Sequence, residues 1–211
     1  MNSLYQASQK FNKLLGIKYE IMLGKKGNTI LFELSFSKND FYHLAGLHYL
    51  TDIRDLKNDR AKIFDKLLAD FDFSEKIIKS DFYGKIQERI NHLANLESII
   101  DSNKTVFKYN ETERPFSKIK ADFLLKNKEE YENLFLFLTY RNESECFCRS
   151  FFPDNKVDYA ENQITMSLLR KKKIYISTSE EIVLYAMKHK SVKDCSTAKG
   201  RERPEGAKLA R

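Results

Sequence analysis

The sequence predicts an α+β protein in which N-terminal helices pack on a mainly antiparallel sheet of four strands or slightly more. Three observations carry this. Apolar residues recur three and four apart through most of the stretch from Arg60 to Asp101, the period of amphipathic helices. After Lys104 the pattern changes to short apolar runs separated by polar turns, which read as strands. No Pro- or Gly-rich linker divides the two halves, so one domain is expected over residues 1–190. Residues 191–211 lack hydrophobic periodicity and read as a flexible basic tail.

Taken in order, Leu4 to Leu15 reads as a helix with apolar residues at 4, 11, 14 and 15. "IKYEIML" and "TILFELSF" alternate with the period of half-buried strands, and the "GKKGN" between them suits a short hairpin turn. Ser37, Asn39 and Asp40 can accept orphan amides at the start of a helix expected to run to about Leu50 or Ile53. "AKIFDKLLADF" and "KIQERINHLANLESII" are helical in period. Four strands follow in "TVFKY", "KADFLLKN", "NLFLFLTYR" and "ECFCRSFF". The third is apolar at nearly every position, as a central strand covered on both faces would be. "QITMSLLRKKKIYI" reads as a Leu-rich turn, a basic run and a short final strand, and "SEEIVLYAMK" as a short helix capped by Ser179.

With 42% hydrophobic and 32% charged residues, the 211-residue chain should fold rather than stay disordered. The net charge of +7 suits a polyanionic partner, although Lys190 to Arg211 alone contributes seven Lys/Arg against three Asp/Glu. No uncharged run approaches the roughly 18 residues of a membrane span, so no membrane partner is expected. "MNSLYQASQKFNKLL" lacks the apolar core of a signal peptide, and Cys146, Cys148 and Cys195 suit reduced thiols; a cytoplasmic protein is expected.

The stretch "NDFYHLAGLHYLTDI" holds two of the four histidines around a glycine. On a continuous helix His43 and His48 would lie about 140° apart and could not both ligate one metal as an HxxxH pair would. His43 would share a stripe with Leu47 and Leu50, and His48 would sit four residues before Asp52, a spacing at which a carboxylate holds an imidazole. Gly46 costs about 1 kcal/mol in a helix interior, which implies a close approach there. Either His43 is a half-buried core residue and His48 a surface one, or His43 is an acid–base catalyst at the edge of the sheet. The rest of the chain offers no phosphate loop, no G-x-S-x-G elbow and no metal-ligand spacing, so neither cofactor nor metal is expected. A mechanism would be built from His, Arg, Lys, Tyr and Ser. Such groups are plentiful late in the chain, at Arg141, Arg149, Ser150, Tyr159 and Gln163 among others.

Three segments read together carry a family likeness: "ILFELSFSKNDFYHLAGLHYLTDI", "KIKADFLLKNKEEYENLFLFL" and "CRSFFPDNKVDYAENQITMSLLRKKKI". They contain His-Leu-x-Gly, Lys-Ala-Asp, Ser-Phe-Phe-Pro, Tyr-x-x-x-Gln and Leu-Leu-x-Lys-Lys in that order. Over about Ile30 to Ile176 the chain resembles phage-associated nuclease domains of the Barnase–EndoU–colicin–RelE-like class, the branch with a His-Leu-x-Gly helix. The resemblance implies helices on a four-stranded antiparallel sheet and metal-independent RNA cleavage by 2′-hydroxyl attack on the adjacent phosphate. It points to His43, and from the later motif to Ser150, Tyr159 and Gln163. Arg141 and Arg149 are added as a phosphate clamp on charge and position, and His48 as a secondary candidate whose loss should cost much less than that of His43. RNA is the expected partner, with a cognate antitoxin or immunity protein if the chain is a toxin or phage-conflict effector. The competing readings are a non-catalytic nucleic-acid or protein-binding module on the same fold, and a structural phage protein.

Overall fold

The computed structural model describes residues 2–129, 132–154 and 156–187; the expected basic tail lies outside them. Helix α1 (Ser3–Leu14) starts where the Asn2 side chain accepts the Tyr5 amide, and it buries Leu4, Ala7, Phe11 and Leu14 at helical spacing. Strands β1 (Ile17–Lys25) and β2 (Asn28–Leu34) form the expected hairpin. Lys26 and Gly27 turn it with φ of 48° and 84°, a primed two-residue turn whose twist matches the strands. Helix α2 (Lys38–Leu44) follows. Four more helices fill the middle: α3 (Arg60–Ala69), α4 (Phe71–Ile78), α5 (Gln87–Leu93) and α6 (Leu96–Ser102). Asp59 and Asp70 cap α3 and α4 by accepting the Lys62 and Phe73 amides.

The remaining strands are β3 (Val106–Lys108), β4 (Phe123–Glu129), β5 (Glu132–Tyr140), β6 (Glu145–Pro153), β7 (Ile164–Tyr175) and β8 (Glu181–Ala186). Their order is β1-β2-β6-β5-β4-β3-β7-β8, and β7 also pairs with β1. Seven strands therefore close into a mixed β-barrel, with β8 added on β7. Only β2 and β6 run parallel, at Glu33↔Glu145 and Leu34↔Cys146.

This corrects the expected four-stranded antiparallel sheet under helices, for three physical reasons. The N-terminal hairpin does not stand beside the sheet: β1 pairs with β7 from Ile17↔Tyr175 to Gly24↔Ser167, so both hairpin strands are barrel strands. The basic run does not interrupt a strand, because two of its lysines have buried partners. The Lys171 ammonium donates to the carbonyls of Ile100 and Asn103 at the end of α6, and Lys173 pairs with Glu97 and Asp101. Residues Ile164–Tyr175 are thus one twelve-residue strand. The expected C-terminal helix is strand β8. Ser179 has φ 56° and sits in the turn, and Ile182, Val183 and Tyr185 follow strand propensity while pairing with β7.

One core joins the inward side chains of the barrel (Tyr19, Ile21, Phe32, Phe123, Leu136, Cys148) to the buried faces of the helices. On β5 the residues between these, Phe135 and Phe137, join Tyr109, Leu124 and Ala160 in a smaller cluster on the other face. Leu134–Leu138 is buried throughout, as a strand covered on both faces should be.

Lys171 is 1% exposed, and burial pushes its pKa down to about 8. Lys171→Met leaves two carbonyls without their donor and should cost about 1–3 kcal/mol of stability near neutral pH. An unfolded lysine titrates near 10.5, so between about 8 and 10.5 the unfolded chain binds more protons and wild-type stability should rise with pH. Urea melts across that range should show the rise in wild type and a flatter curve in Lys171→Met.

Candidate functional site

Helix α2 ends at Leu44, well before the expected Leu50 or Ile53. Gly46 adopts φ 75°, ψ 20°, the left-handed conformation that stops helices, and Leu47–Tyr49 then forms one tight 3₁₀ turn. A Cβ at position 46 would lie 2.9 Å from Ile86 Cγ2 and 3.3 Å from an Arg89 nitrogen. The close approach expected at Gly46 is therefore α5 packing on the turn. Because the chain reverses there, the separation of about 140° expected for a straight helix does not apply: the His43 and His48 rings lie 5.6 Å apart. Asp52 does not hold His48; its carboxylate accepts from the Ser80 hydroxyl and the Asp81 amide.

A second irregularity faces this turn. Between Phe137↔Ser150 and Leu138↔Cys148 the β5–β6 register shifts, leaving Arg149 as the extra residue of a bulge. Strict alternation would turn Arg149 away from Cys148 and Ser150. Instead Phe147, Cys148, Arg149 and Ser150 all line one cavity of about 180 Å³ with Asp40, His43, His48, Tyr49, Arg89, Lys118 and Ile119.

Cations dominate the charge of this cavity. Arg89, from α5, donates to the His43 carbonyl at 3.4 Å and lies over the rings of Tyr49 (5.7 Å) and Phe152 (5.5 Å). Arg149 and Lys118 are exposed, and among the described residues no carboxylate pairs with either. Asp40, the one carboxylate, is buried, accepts the Ser37 amide at 2.7 Å and lies 4.0 Å from Arg141. Burial raises its pKa against those contacts. The imidazoles feel the cations. Burial, then Arg60 and Arg149, lowers the His43 pKa, while burial, His43, Arg89 and Arg60 push His48 down to about 4.

Of the sequence-predicted residues, the fold gathers His43, His48, Arg149 and Ser150 on this cavity. Arg141 lies outside its lining, pairing with Glu145 at 3.5 Å and covering the Phe147 ring. Tyr159 sits in the outer aromatic cluster, 5.3 Å from both Phe135 and Phe152. Gln163 is buried and bonds both the amide and the carbonyl of Asn110, tying the segment before β4 to the start of β7. The sequence reading missed Arg89, Tyr49 and Lys118. Arg89 left a faint signal as a cation three residues from Ile86 and next to Ile90 on one helix; Lys118 left none.

Paired imidazoles ringed by cations suit an anionic substrate carrying a proton-transfer problem. The chain belongs to a family of that kind: the model for phage-Barnase-EndoU-ColicinE5/D-RelE like nuclease4 matches residues 3–188. It is a phage-associated nuclease domain, and its substrate is nucleic acid. No curated protein and no solved structure matches the chain. Among the described residues no three His, Cys, Asp or Glu side chains are grouped to hold a metal ion, and no helix is long and apolar enough to cross a membrane.

Gly46→Ala tests the turn that brings the imidazoles together. A left-handed Ala costs about 1–2 kcal/mol before any clash with Ile86. The melting temperature should fall by several degrees, roughly 2–4 °C per kcal/mol in a chain of this size. Unchanged melting would show that the turn relaxes freely.

Proposed function

We propose that the cavity is the active site of a metal-independent endoribonuclease. The observation carrying this reading is the pair of imidazoles, 5.6 Å apart, among Arg89, Lys118 and Arg149. That spacing lets both rings reach oxygens of one phosphate. His48, held neutral by its lowered pKa, takes the proton from the 2′-hydroxyl, whose oxygen attacks phosphorus. His43 gives a proton to the leaving 5′-oxygen as the P–O5′ bond breaks, leaving a 2′,3′-cyclic phosphate and a 5′-hydroxyl. Arg149 and Arg89 hold the charge that builds on the non-bridging oxygens, and Ser150 donates a hydrogen bond beside them. Arg141, Tyr159 and Gln163 support the walls: Arg141 over Phe147 and near Asp40, Tyr159 against Phe152, Gln163 at the base of the segment carrying Lys118. DNA lacks the nucleophile and should not be cut. The family's phage association supports a role as a toxin or conflict effector with a cognate antitoxin or immunity protein.

His43→Ala and His48→Ala should each lower RNA cleavage by roughly 10²–10⁴, the usual worth of an acid or base, with melting little changed. A His43→Ala protein that melts far below wild type while its folded fraction cleaves normally would make His43 a packing residue. Wild type that binds RNA yet yields no cyclic phosphate would make the domain a binding module. Excess EDTA should leave the rate nearly unchanged, and a tenfold loss would show a metal in the mechanism.

The pH profile tests the assignment of roles. Activity requires neutral His48 and protonated His43, so kcat/KM should rise through a pKa near 4 and fall on the acidic side of the ordinary histidine value of about 6.5. Arg149 lowers the His43 pKa, so Arg149→Gln should raise it and move the alkaline limb to higher pH while lowering the rate. Movement of the acidic limb instead would reverse the two roles.

A further inference from the structure

Beside the imidazole pair the cavity wall carries an aromatic ring that the proposed chemistry does not use. Tyr49 is 44% exposed, although it lines the same cavity as both histidines. Its ring lies 4.1 Å from the His48 ring, and the Arg89 guanidinium lies 5.7 Å from its centroid. Arg89 is at the same time 5.5 Å from the Phe152 ring, which stacks on Phe137 at 5.7 Å with planes 22° apart. The guanidinium therefore bridges Tyr49 to the Phe152–Phe137 stack on the barrel wall, and the left-handed Gly46 turn sets the direction of the chain that carries it. A ring held this firmly yet left nearly half in water has kept an apolar surface uncovered at a site otherwise rich in charge.

We propose, resting on the RNA-cleavage reading, that Tyr49 is a stacking platform for a base next to the scissile phosphate, and that the substrate is single-stranded RNA. Every base offers a π-face, so such a platform positions a nucleotide without demanding one base identity. A base lying on Tyr49 has left its own stack, which a paired A-form strand resists and a loop or free strand permits. The cavity, of about 180 Å³, has the size of a phosphate with part of one nucleoside. Arg89 has two tasks in this arrangement, holding the ring and meeting the phosphate, and its planar guanidinium suits both.

The probe is 2′-O-methyl octauridine, which lacks the nucleophilic hydroxyl, so binding is read apart from cleavage. Its affinity for the full chain should exceed that of its duplex with oligoadenine about tenfold or more, because stacking one base is worth roughly 1–3 kcal/mol. Tyr49→Ala should weaken binding of the single strand about five- to a hundredfold, and Tyr49→Phe, which keeps the ring, should restore most of it. An abasic residue walked along the probe should weaken wild type at one position, and at that position should cost the Tyr49→Ala protein nothing further. Melting of both variants near wild type confirms that the ring, and not the fold, is being read. Equal affinity of Tyr49→Ala and wild type, or an abasic penalty that persists in Tyr49→Ala, overturns the proposal even if RNA is cleaved. Tight duplex binding overturns the single-strand assignment. Failure of the cleavage reading would show separately, as octauridine with free 2′-hydroxyls surviving wild type uncut.

Discussion

The ladder between β1 and β7 is the constraint on which the rest of the molecule depends. It joins residues about 150 apart in sequence and turns an open sheet into a closed barrel. β1 and β3 pair with successive parts of β7, which leaves an edge of its second half for β8 and carries Lys171 and Lys173 under α6. These two lysines do different physical work. Lys171 ends α6 by donating to its last carbonyls, as a cation at a helix C-terminus should. Lys173 meets Glu97 and Asp101 on the same helix, and Asp101 also accepts the Tyr19 hydroxyl from β1. The strand pair that closes the barrel thus also anchors α6. Two residues separate α6 from α5, and α5 places Arg89 at the cavity.

The site is then set by two departures from regular geometry. Gly46 breaks what would otherwise continue as a helix, and the Arg149 bulge breaks the alternation of β6. Either one alone would leave the chemistry scattered. With a continuous helix His48 would face away from His43; with a regular strand Arg149 would face away from Ser150. Both irregularities carry a cost in local backbone stability, offset by packing around them: Ile86 and Arg89 close on Gly46, and Cys148 and Phe151 keep the core filled on either side of the bulge. Bulges of this kind re-aim side chains, and here the bulge and the glycine turn both do so where charged groups converge.

Local signals were legible in the sequence and long-range ones were not. The β1–β2 hairpin, the start of α2 at Ser37 and Asp40 and the doubly buried β5 follow from nearest neighbours along the chain, and each is where the residues place it. His43 and Arg149 could be singled out by residue type. The basic run was unreadable because a lysine's place in a strand depends on whether a carbonyl or carboxylate waits for it, and those of Lys171 and Lys173 belong to α6, some seventy residues away. "EIVLYA" was ambiguous because its apolar residues satisfy either period, and only the open edge of β7 decides for strand. Barrel closure itself has no local signature. Gly46 lay between: its cost in a helix interior was visible, but that it ends the helix and folds His48 back required knowing that Ile86 and Arg89 come to meet it.

The electrostatics of the cavity give the arrangement its chemical sense. Burial, and the Arg60, Arg89 and Arg149 cations around them, lower the pKa of both imidazoles. A phosphodiester entering the cavity brings the negative charge that the cations lack, since Asp40 is buried and spoken for by the Ser37 amide. On the cleavage reading proposed above, that charge favours protonation of one imidazole while the other stays neutral, which is the asymmetry an acid–base pair requires. On that same reading, the substrate's own charge completes the protonation state that cleaves it.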